Sequence, residues 1–248
     1  MAAPTERPKI RACLFDMDGL LINTEQVYTE VTNTILERHG KGRLPWEIKA
    51  TLQGLPGPSA SAKFLEWSQL PYTPDELFAE TSKLQKTRWS GVAPMPGALE
   101  LLQALGTPAG PVPFALATSS HSANYELKTA HLGHMFDLFG DAKVLGDDRR
   151  IAPGRGKPAP DIWLLALAVL NAQRRAGGAT DDILPAECLV FEDGIPGVEG
   201  ARAAGCQVVW VPDPNIRALF RDSEADIVGP WGEVLDSLEQ LDYAKYGL

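Results

Sequence analysis

The sequence predicts an α/β fold: a doubly wound parallel sheet carrying an inserted all-helical cap domain. Three observations carry that prediction. Four short apolar runs, Ile10–Phe15, Phe114–Ala117, Cys188–Phe191 and Gln207–Val211, are continuous rather than alternating, which is how strands covered on both faces of a parallel sheet read. Amphipathic segments of helical length lie between them, at Gly97–Leu105, Ala123–Leu132, Asp161–Gln173 and Gly197–Ala204, and strands alternating with helices imply a doubly wound sheet. The stretch Glu25–Trp89 breaks this rhythm, with helices expected at Glu25–His39, Trp46–Leu52, Ala60–Gln69 and Asp75–Trp89 and no strong strand candidate.

Taken in order, Ile10–Phe15 is the first strand and runs into Asp16-Met17-Asp18-Gly19. Leu20–Thr24 is the expected hinge into the helical block, whose helices are separated by loops at Gly40–Pro45, Gln53–Ser59 and Leu70–Asp75. Gly91–Gly97, with Pro94, Pro96 and Gly97, suits a defined return hinge. These boundaries divide the chain into a core of residues 1–20 and 92–248 and a cap of residues 21–91. The Gly/Pro-rich segment Gly106–Pro113 and the segment Gly177–Pro185 are expected as surface loops.

At 248 residues and 44% hydrophobic content, the chain can bury a sizeable core. A formal net charge of −9 argues against nucleic-acid backbones and anionic membranes as partners. It leaves a phosphorylated substrate open, because a metal and local cations can invert the sign of one pocket. Cys13 and Cys188 sit inside apolar runs and Cys206 borders one; three such cysteines read as free thiols in a reducing compartment. With no signal-peptide pattern and no apolar run of membrane-spanning length, the expectation is a cytoplasmic protein.

The polar residues of interest all follow apolar strands, where open α/β sheets place their ligand sites. Asp16 and Asp18, two apart at a strand end, point to the same side. One carboxylate can attack phosphorus and the other can serve as general acid and base, while Gly19 lets the chain turn away. Thr118-Ser119-Ser120 follows the second strand; its hydroxyls and backbone N–H groups can hold phosphate oxygens, or simply cap the next helix. Lys157 precedes Pro158, which favours an extended backbone. It can neutralise a nucleophile–phosphate pair, and Asp161 is expected to cap the following helix. Glu192-Asp193-Gly194 ends the third apolar run, and carboxylates from two strand ends make a hard oxygen site suited to Mg²⁺. Each cluster alone also reads as turn or surface chemistry; the four in this order, each on a strand end, point to one site. His121 and Asn124 stand near it as candidate substrate contacts or as capping residues.

These strings resemble the four motifs of the haloacid dehalogenase-like hydrolases: Leu14-Phe15-Asp16-Met17-Asp18-Gly19, Ala117-Thr118-Ser119-Ser120, Gly156-Lys157-Pro158 and Phe191-Glu192-Asp193-Gly194-Ile195-Pro196-Gly197-Val198. Within that family the chain is most similar to the pseudouridine-5′-phosphatase-like branch. The resemblance implies a Rossmann-like core with a helical cap. It implies Asp16 as nucleophile and metal ligand, and Asp18 as general acid/base with its backbone carbonyl on Mg²⁺. It further implies Lys157 as phosphoryl stabiliser, Thr118, Ser119 and Gly19 at the substrate's phosphate, and Glu192 and Asp193 as metal ligands. The chain departs from its relatives in three places: the loop Gln53–Ser59 has no basic residue after Gly54, Asn23 stands where many relatives have aspartate, and the loop Asp148–Gly156 is longer.

The expected function is Mg²⁺-dependent hydrolysis of a small phosphomonoester through an aspartyl-phosphate. The substrate class is a nucleotide monophosphate such as pseudouridine 5′-phosphate, or a sugar phosphate, handled by a monomer. A β-phosphoglucomutase-like mutase would use the same motifs but needs groups in the cap to retain its intermediate. A non-catalytic binding protein on this fold would be expected to have lost Asp16, Asp18 or the acidic pair, and all are present.

Overall fold

Runs of apolar residues with both faces covered make the sheet at the centre of the molecule. The structure is a computed structural model that describes residues 7–106 and 112–248, so the tip of the Gly106–Pro113 loop and the first six residues of the chain lie outside the described residues. Among the described residues the sheet has six parallel strands, in the order β3-β2-β1-β4-β5-β6. These are β1 (Ala12–Phe15), β2 (Phe114–Ala117), β3 (Lys143–Val144), β4 (Cys188–Glu192), β5 (Gln207–Trp210) and β6 (Glu233–Val234). The two-residue strands β3 and β6 fall outside the sequence expectation. They carry no apolar run of their own and exist because β2 and β5 offer them a pairing edge, as in Ala117 opposite Val144 and Trp210 opposite Val234.

Alternation along each strand sends side chains to opposite faces. Cys13 and Phe15 join Leu116, Phe191 and Val209 beneath Leu101, Leu102 and Phe136. Ala12 and Leu14 join Ala115, Val190 and Val208 beneath Trp163, Leu167 and Val198. Phe15 stacks on Phe191 with centroids 4.7 Å apart and planes 4° from parallel. Truncating either ring would cost about 3–5 kcal/mol.

Between β1 and β2 the chain forms α1 (Thr24–Arg38), α2 (Trp46–Leu52), α3 (Gly57–Ser68) and α4 (Pro74–Lys86). This helical insertion has its own small core of Ile35, Leu36, Phe64, Leu70 and Leu77. Two of its helix ends differ from expectation. The helix α3 starts at Gly57 because Pro58 sits in the first turn, where no N–H is needed. Thr73 and Glu76 form a capping box that starts α4; α4 stops at Lys86, and Trp89 belongs to a separate 3₁₀ turn, Trp89–Gly91.

The two hinge segments pair with each other. Asn23 N–H donates to Ala93 O (3.0 Å), Ala93 N–H donates to Asn23 Oδ1 (2.8 Å), and Met95 N–H donates to Leu21 O (2.9 Å). Asn23 thus ties the segment that enters the helical insertion to the segment that leaves it. The chain then forms α5 (Ala98–Leu105), α6 (Ser122–Thr129), α7 (Gly133–Phe136), α8 (Asp161–Ala176) and α9 (Ile195–Ala203) around the sheet. Asp161 is the first residue of α8 rather than its cap; its carboxylate instead takes the Arg155 guanidinium (2.7 Å).

Candidate active site

The register of the sheet brings the site together. Phe15 lies opposite Leu116 on one side and Phe191 on the other, so the residues that follow, Asp16, Thr118 and Glu192-Asp193, emerge at one edge of the sheet. The chain order reverses there, with β2 on one side of β1 and β4 on the other, and such a switch point opens a crevice at the strand ends. Asp16 N–H donates to Phe191 O (3.1 Å), locking the first residue beyond β1 to its neighbour.

Asp16 and Lys157 form a buried ion pair through Asp16 Oδ1, and Lys157 Nζ also donates to Glu192 Oε1 (2.7 Å). The Trp163 ring lies 4.5 Å beneath the ammonium. The Lys157–Pro158 peptide is cis. Burial works against the Lys157 charge, but Asp16 and Glu192 outweigh it and hold its pKa above the ordinary range. Burial foremost, with Glu192 and Asp18, pushes Asp16 up to about 8 against the pull of Lys157. Burial, with the carboxylates of Glu192, Asp16 and Glu25, pushes Asp193 well up.

Asp18 turns toward a different set of donors. Ser120 Oγ donates to its Oδ2 (2.7 Å), Thr118 Oγ1 to the same oxygen (3.4 Å) and Lys128 Nζ to Oδ1 (2.5 Å). Burial alone would raise its pKa, but Lys128 and the hydroxyls of Ser120 and Thr24 outweigh that and lower it. Gly19 follows with φ +85°, and a Cβ there would lie 1.9 Å from Asp193 Oδ2. A glycine is thus required by both the turn and the close carboxylate. At Gly197, inside α9, the close carboxylate alone demands glycine, since a Cβ would lie 1.7 Å from Glu192 Oε1.

Asp16, Glu192 and Asp193 each offer an oxygen within 4.8 Å of the others. Glu192 uses both of its own, one on Lys157 and the other on the Gly194 N–H (2.7 Å), whereas Asp193 Oδ1 is buried with no partner. Three buried carboxylates against one lysine, with an orphaned oxygen among them, form a hard oxygen donor set that fits Mg²⁺. Asp16 and Asp193 are its available carboxylates, and Glu192 mainly holds the lysine and the turn into α9.

All the residues singled out in the sequence, Asp16, Asp18, Gly19, Thr118, Ser119, Lys157, Glu192 and Asp193, lie in this one site. Ser119 Oγ donates to Gly54 O (3.2 Å) and Gln53 Nε2 donates to Asp193 Oδ2, so the loop after α2 touches the strand-end residues directly. Above them lies a cavity of about 190 Å³, lined by Asp16, Asp18 and Ser119 below and by Glu25, Lys49, Phe64 and Thr81 of the insertion. His121 and Asn124 also line it.

Two lysines are not evident from motif order. Lys128 on α6 is fully buried; it also donates to Tyr28 OH (2.7 Å) and Ser120 Oγ (2.7 Å), and lies 4.7 Å from the Trp89 ring centroid. Tyr28 is pushed up to about 12 by burial and by Asp18. Lys49 on α2 is likewise buried and bonds Thr29 Oγ1 (2.8 Å). The insertion thus brings a cation to the cavity from a helix, although the Gln53–Ser59 loop has none. Helical phase is the signal for both. Lys128 stands one turn after Tyr125 on α6, and Lys49 one turn after Trp46 on α2.

Comparison with known proteins decides the family. A model of the haloacid dehalogenase-like hydrolases matches residues 10–205. This chain belongs to that family. It is 51% identical over 239 residues to a Saccharomyces cerevisiae protein named "Probable pseudouridine-5′-phosphatase", covering 96% of this chain and 98% of that one. It is 34% identical to (DL)-glycerol-3-phosphatase 2 of Arabidopsis thaliana, over 92% of this chain and 90% of the relative. Among solved structures, CbbY from Rhodobacter sphaeroides in complex with phosphate superposes with a TM-score of 0.70 at 24% identity, covering 96% of this chain and all of that one; that likeness concerns the fold. As a member of the family the chain is an enzyme, a hydrolase built on an all-parallel α/β sheet. No helix among the described residues is long and apolar enough to cross a membrane.

Proposed function

We propose that this hydrolase cleaves a small phosphomonoester through an aspartyl-phosphate on Asp16. The observation that carries the reading is the pairing of buried Asp16 with Lys157 at the mouth of a cavity that also holds Asp18, two residues on. Asp16 attacks phosphorus in line, and the bond from phosphorus to the leaving oxygen breaks as Asp18 gives that oxygen a proton. Asp18 then takes a proton from the water that attacks the aspartyl-phosphate, so phosphate leaves and Asp16 is restored. The donors around Asp18 favour its anion, the form that accepts the proton from water; the proton so taken is the one Asp18 gives to the leaving oxygen in the next turnover. Lys157 offsets the charge of nucleophile and ester, and Thr118 with the Ser119 backbone receives the phosphate oxygens. Mg²⁺ held by Asp16, Asp193 and the Asp18 carbonyl would add Lewis-acid neutralisation of the phosphoryl group.

Residues 21–91 act in this reading as a cap that closes over the ester and excludes bulk water. The named activities of the relatives, pseudouridine-5′-phosphatase and glycerol-3-phosphatase, support a nucleoside or polyol monophosphate as substrate. One chain supplies every residue of the site, which supports a monomer. The three cysteines are free and buried, which supports work in a reducing compartment such as the cytoplasm. Phosphate release from a panel of nucleoside, sugar and polyol phosphates tests the reading, with Mg²⁺ or EDTA and with Asp16→Asn as control. Metal- and Asp16-dependent turnover is the expected outcome; no turnover of any ester refutes it.

A further inference from the structure

We propose that Glu25 and Lys49 recognise neighbouring hydroxyls on a neutral leaving group, making the substrates phosphomonoesters of polyhydroxy compounds rather than bisphosphates. The inference rests on the phosphatase reading and adds to it the chemistry that selects the ester.

Both residues line the cavity that Asp16 and Asp18 share. Glu25 is packed against the catalytic turn, since a Cβ on Gly19 would lie 2.8 Å from Glu25 Cγ. Whatever Glu25 binds therefore sits close to the ester linkage. Lys49 is 6% exposed and stands 4.9 Å from the Trp46 ring centroid, 2.8 Å from Thr29 Oγ1 and 3.5 Å from Glu25 Oε2. An ammonium has three donors and an ionised carboxylate about four acceptor sites. Thr29 takes one of the donors at hydrogen-bond distance, and Glu25 is held at ion-pair distance only. Both groups therefore face the cavity with unfilled hydrogen-bonding capacity.

A buried ion pair adds little to stability compared with apolar packing of the same volume, so folding alone does not account for this one. A hydroxyl donates and accepts at once: it can donate to Glu25 while accepting from Lys49, and a vicinal pair can engage both groups together. A second phosphate would instead need an uncommitted cation. Lys49 faces Glu25, Lys128 faces Asp18, and Lys157 faces Asp16 and Glu192, so the three buried lysines around the site are each matched by a carboxylate.

The test compares kcat/KM for matched esters that differ only in hydroxyls: uridine 5′-phosphate against 2′,3′-dideoxyuridine 5′-phosphate, and glycerol 3-phosphate against propyl phosphate. The wild-type enzyme is expected to favour the hydroxylated member of at least one pair by roughly 10⁴-fold, as sites built to hydrogen-bond a substrate hydroxyl do. In Lys49→Met and in the isosteric Glu25→Gln that ratio is expected to fall toward one, through loss on the hydroxylated ester. Glu25→Gln carries the test if Lys49→Met does not fold. A wild-type ratio near one for both pairs overturns the inference, as does a ratio that survives in Glu25→Gln. p-Nitrophenyl phosphate separates the two levels: if the wild type hydrolyses it without hydroxyl preference, only this inference fails, and if no ester at all is hydrolysed, the phosphatase reading fails with it.

Discussion

On the sheet side of the cavity, Asp16, Thr118 and Asp193 each follow a strand whose backbone is bonded to its neighbours, and Lys157 is pinned between two carboxylates. On the helical side, Glu25 and Lys49 belong to α1 and α2; the later part of α1 shares a small core with the rest of the insertion, while Tyr28 of α1 and Ala50 of α2 pack against the sheet's own cores, and the paired connecting segments and the Gln53–Gly54 loop add direct bonds. The difference teaches a division of labour. Groups that must meet phosphorus at fixed geometry hang on the most constrained backbone in the molecule. Groups proposed to select the rest of the ester hang on helices that only partly share the sheet's core.

If that division is right, the sheet side is where the largest losses lie. Asp16→Asn is expected to reduce kcat on the order of 10⁴-fold or more with every ester; a loss confined to some substrates would break the comparison, and steady-state phosphate release decides it. Removing metal with EDTA is expected to abolish turnover, with Mg²⁺ restoring it. Saturating Mg²⁺ should also raise the melting temperature of the resting enzyme by filling a site short of positive charge, and calorimetry with and without the ion reads this.

Lys128 lies where the two sides touch, joining Asp18 to Tyr28 of α1 and to Trp89 of the 3₁₀ turn that ends the insertion. Lys128→Met leaves the Asp18 carboxylate without its cation, so a loss of about 100-fold or more in kcat is expected. A destabilisation of about 3–5 kcal/mol should accompany it. Chemical denaturation beside kinetics separates the two effects. The smallest effect should come from the tie between the sides. Ser119→Ala removes the bond to Gly54 O and is expected to cost about 1 kcal/mol of stability. It should raise KM more than it lowers kcat, because the backbone N–H proposed to receive phosphate remains.

Much of the sheet side is readable in one dimension. A parallel strand buried on both faces must be continuously apolar, so its end is marked where Phe15 gives way to Asp16, Ala117 to Thr118 and Phe191 to Glu192. β3 and β6 are not marked, because a two-residue strand is defined by the edge it pairs with. Asp161 looked like a cap by residue type, but Arg155 six residues earlier captured its carboxylate. Lys128 and Lys49 carry a phase signal, yet a lysine on an apolar helical face reads equally well as a side chain whose stem is buried and whose charge reaches water.

By itself the sequence determined the α/β class, the helical insertion after the first strand and the order of the four polar clusters, because periodicity and strand ends are local properties of the chain. Only the tertiary structure decided which carboxylate each lysine faces, that Glu192 serves Lys157 and the Gly194 turn while Asp193 keeps an open oxygen, and that α2 delivers Lys49 to the cavity. Those outcomes depend on charges distant in sequence being buried together. In a low-dielectric site each charge takes the partner that packing places within reach, and local pattern carries no record of that choice.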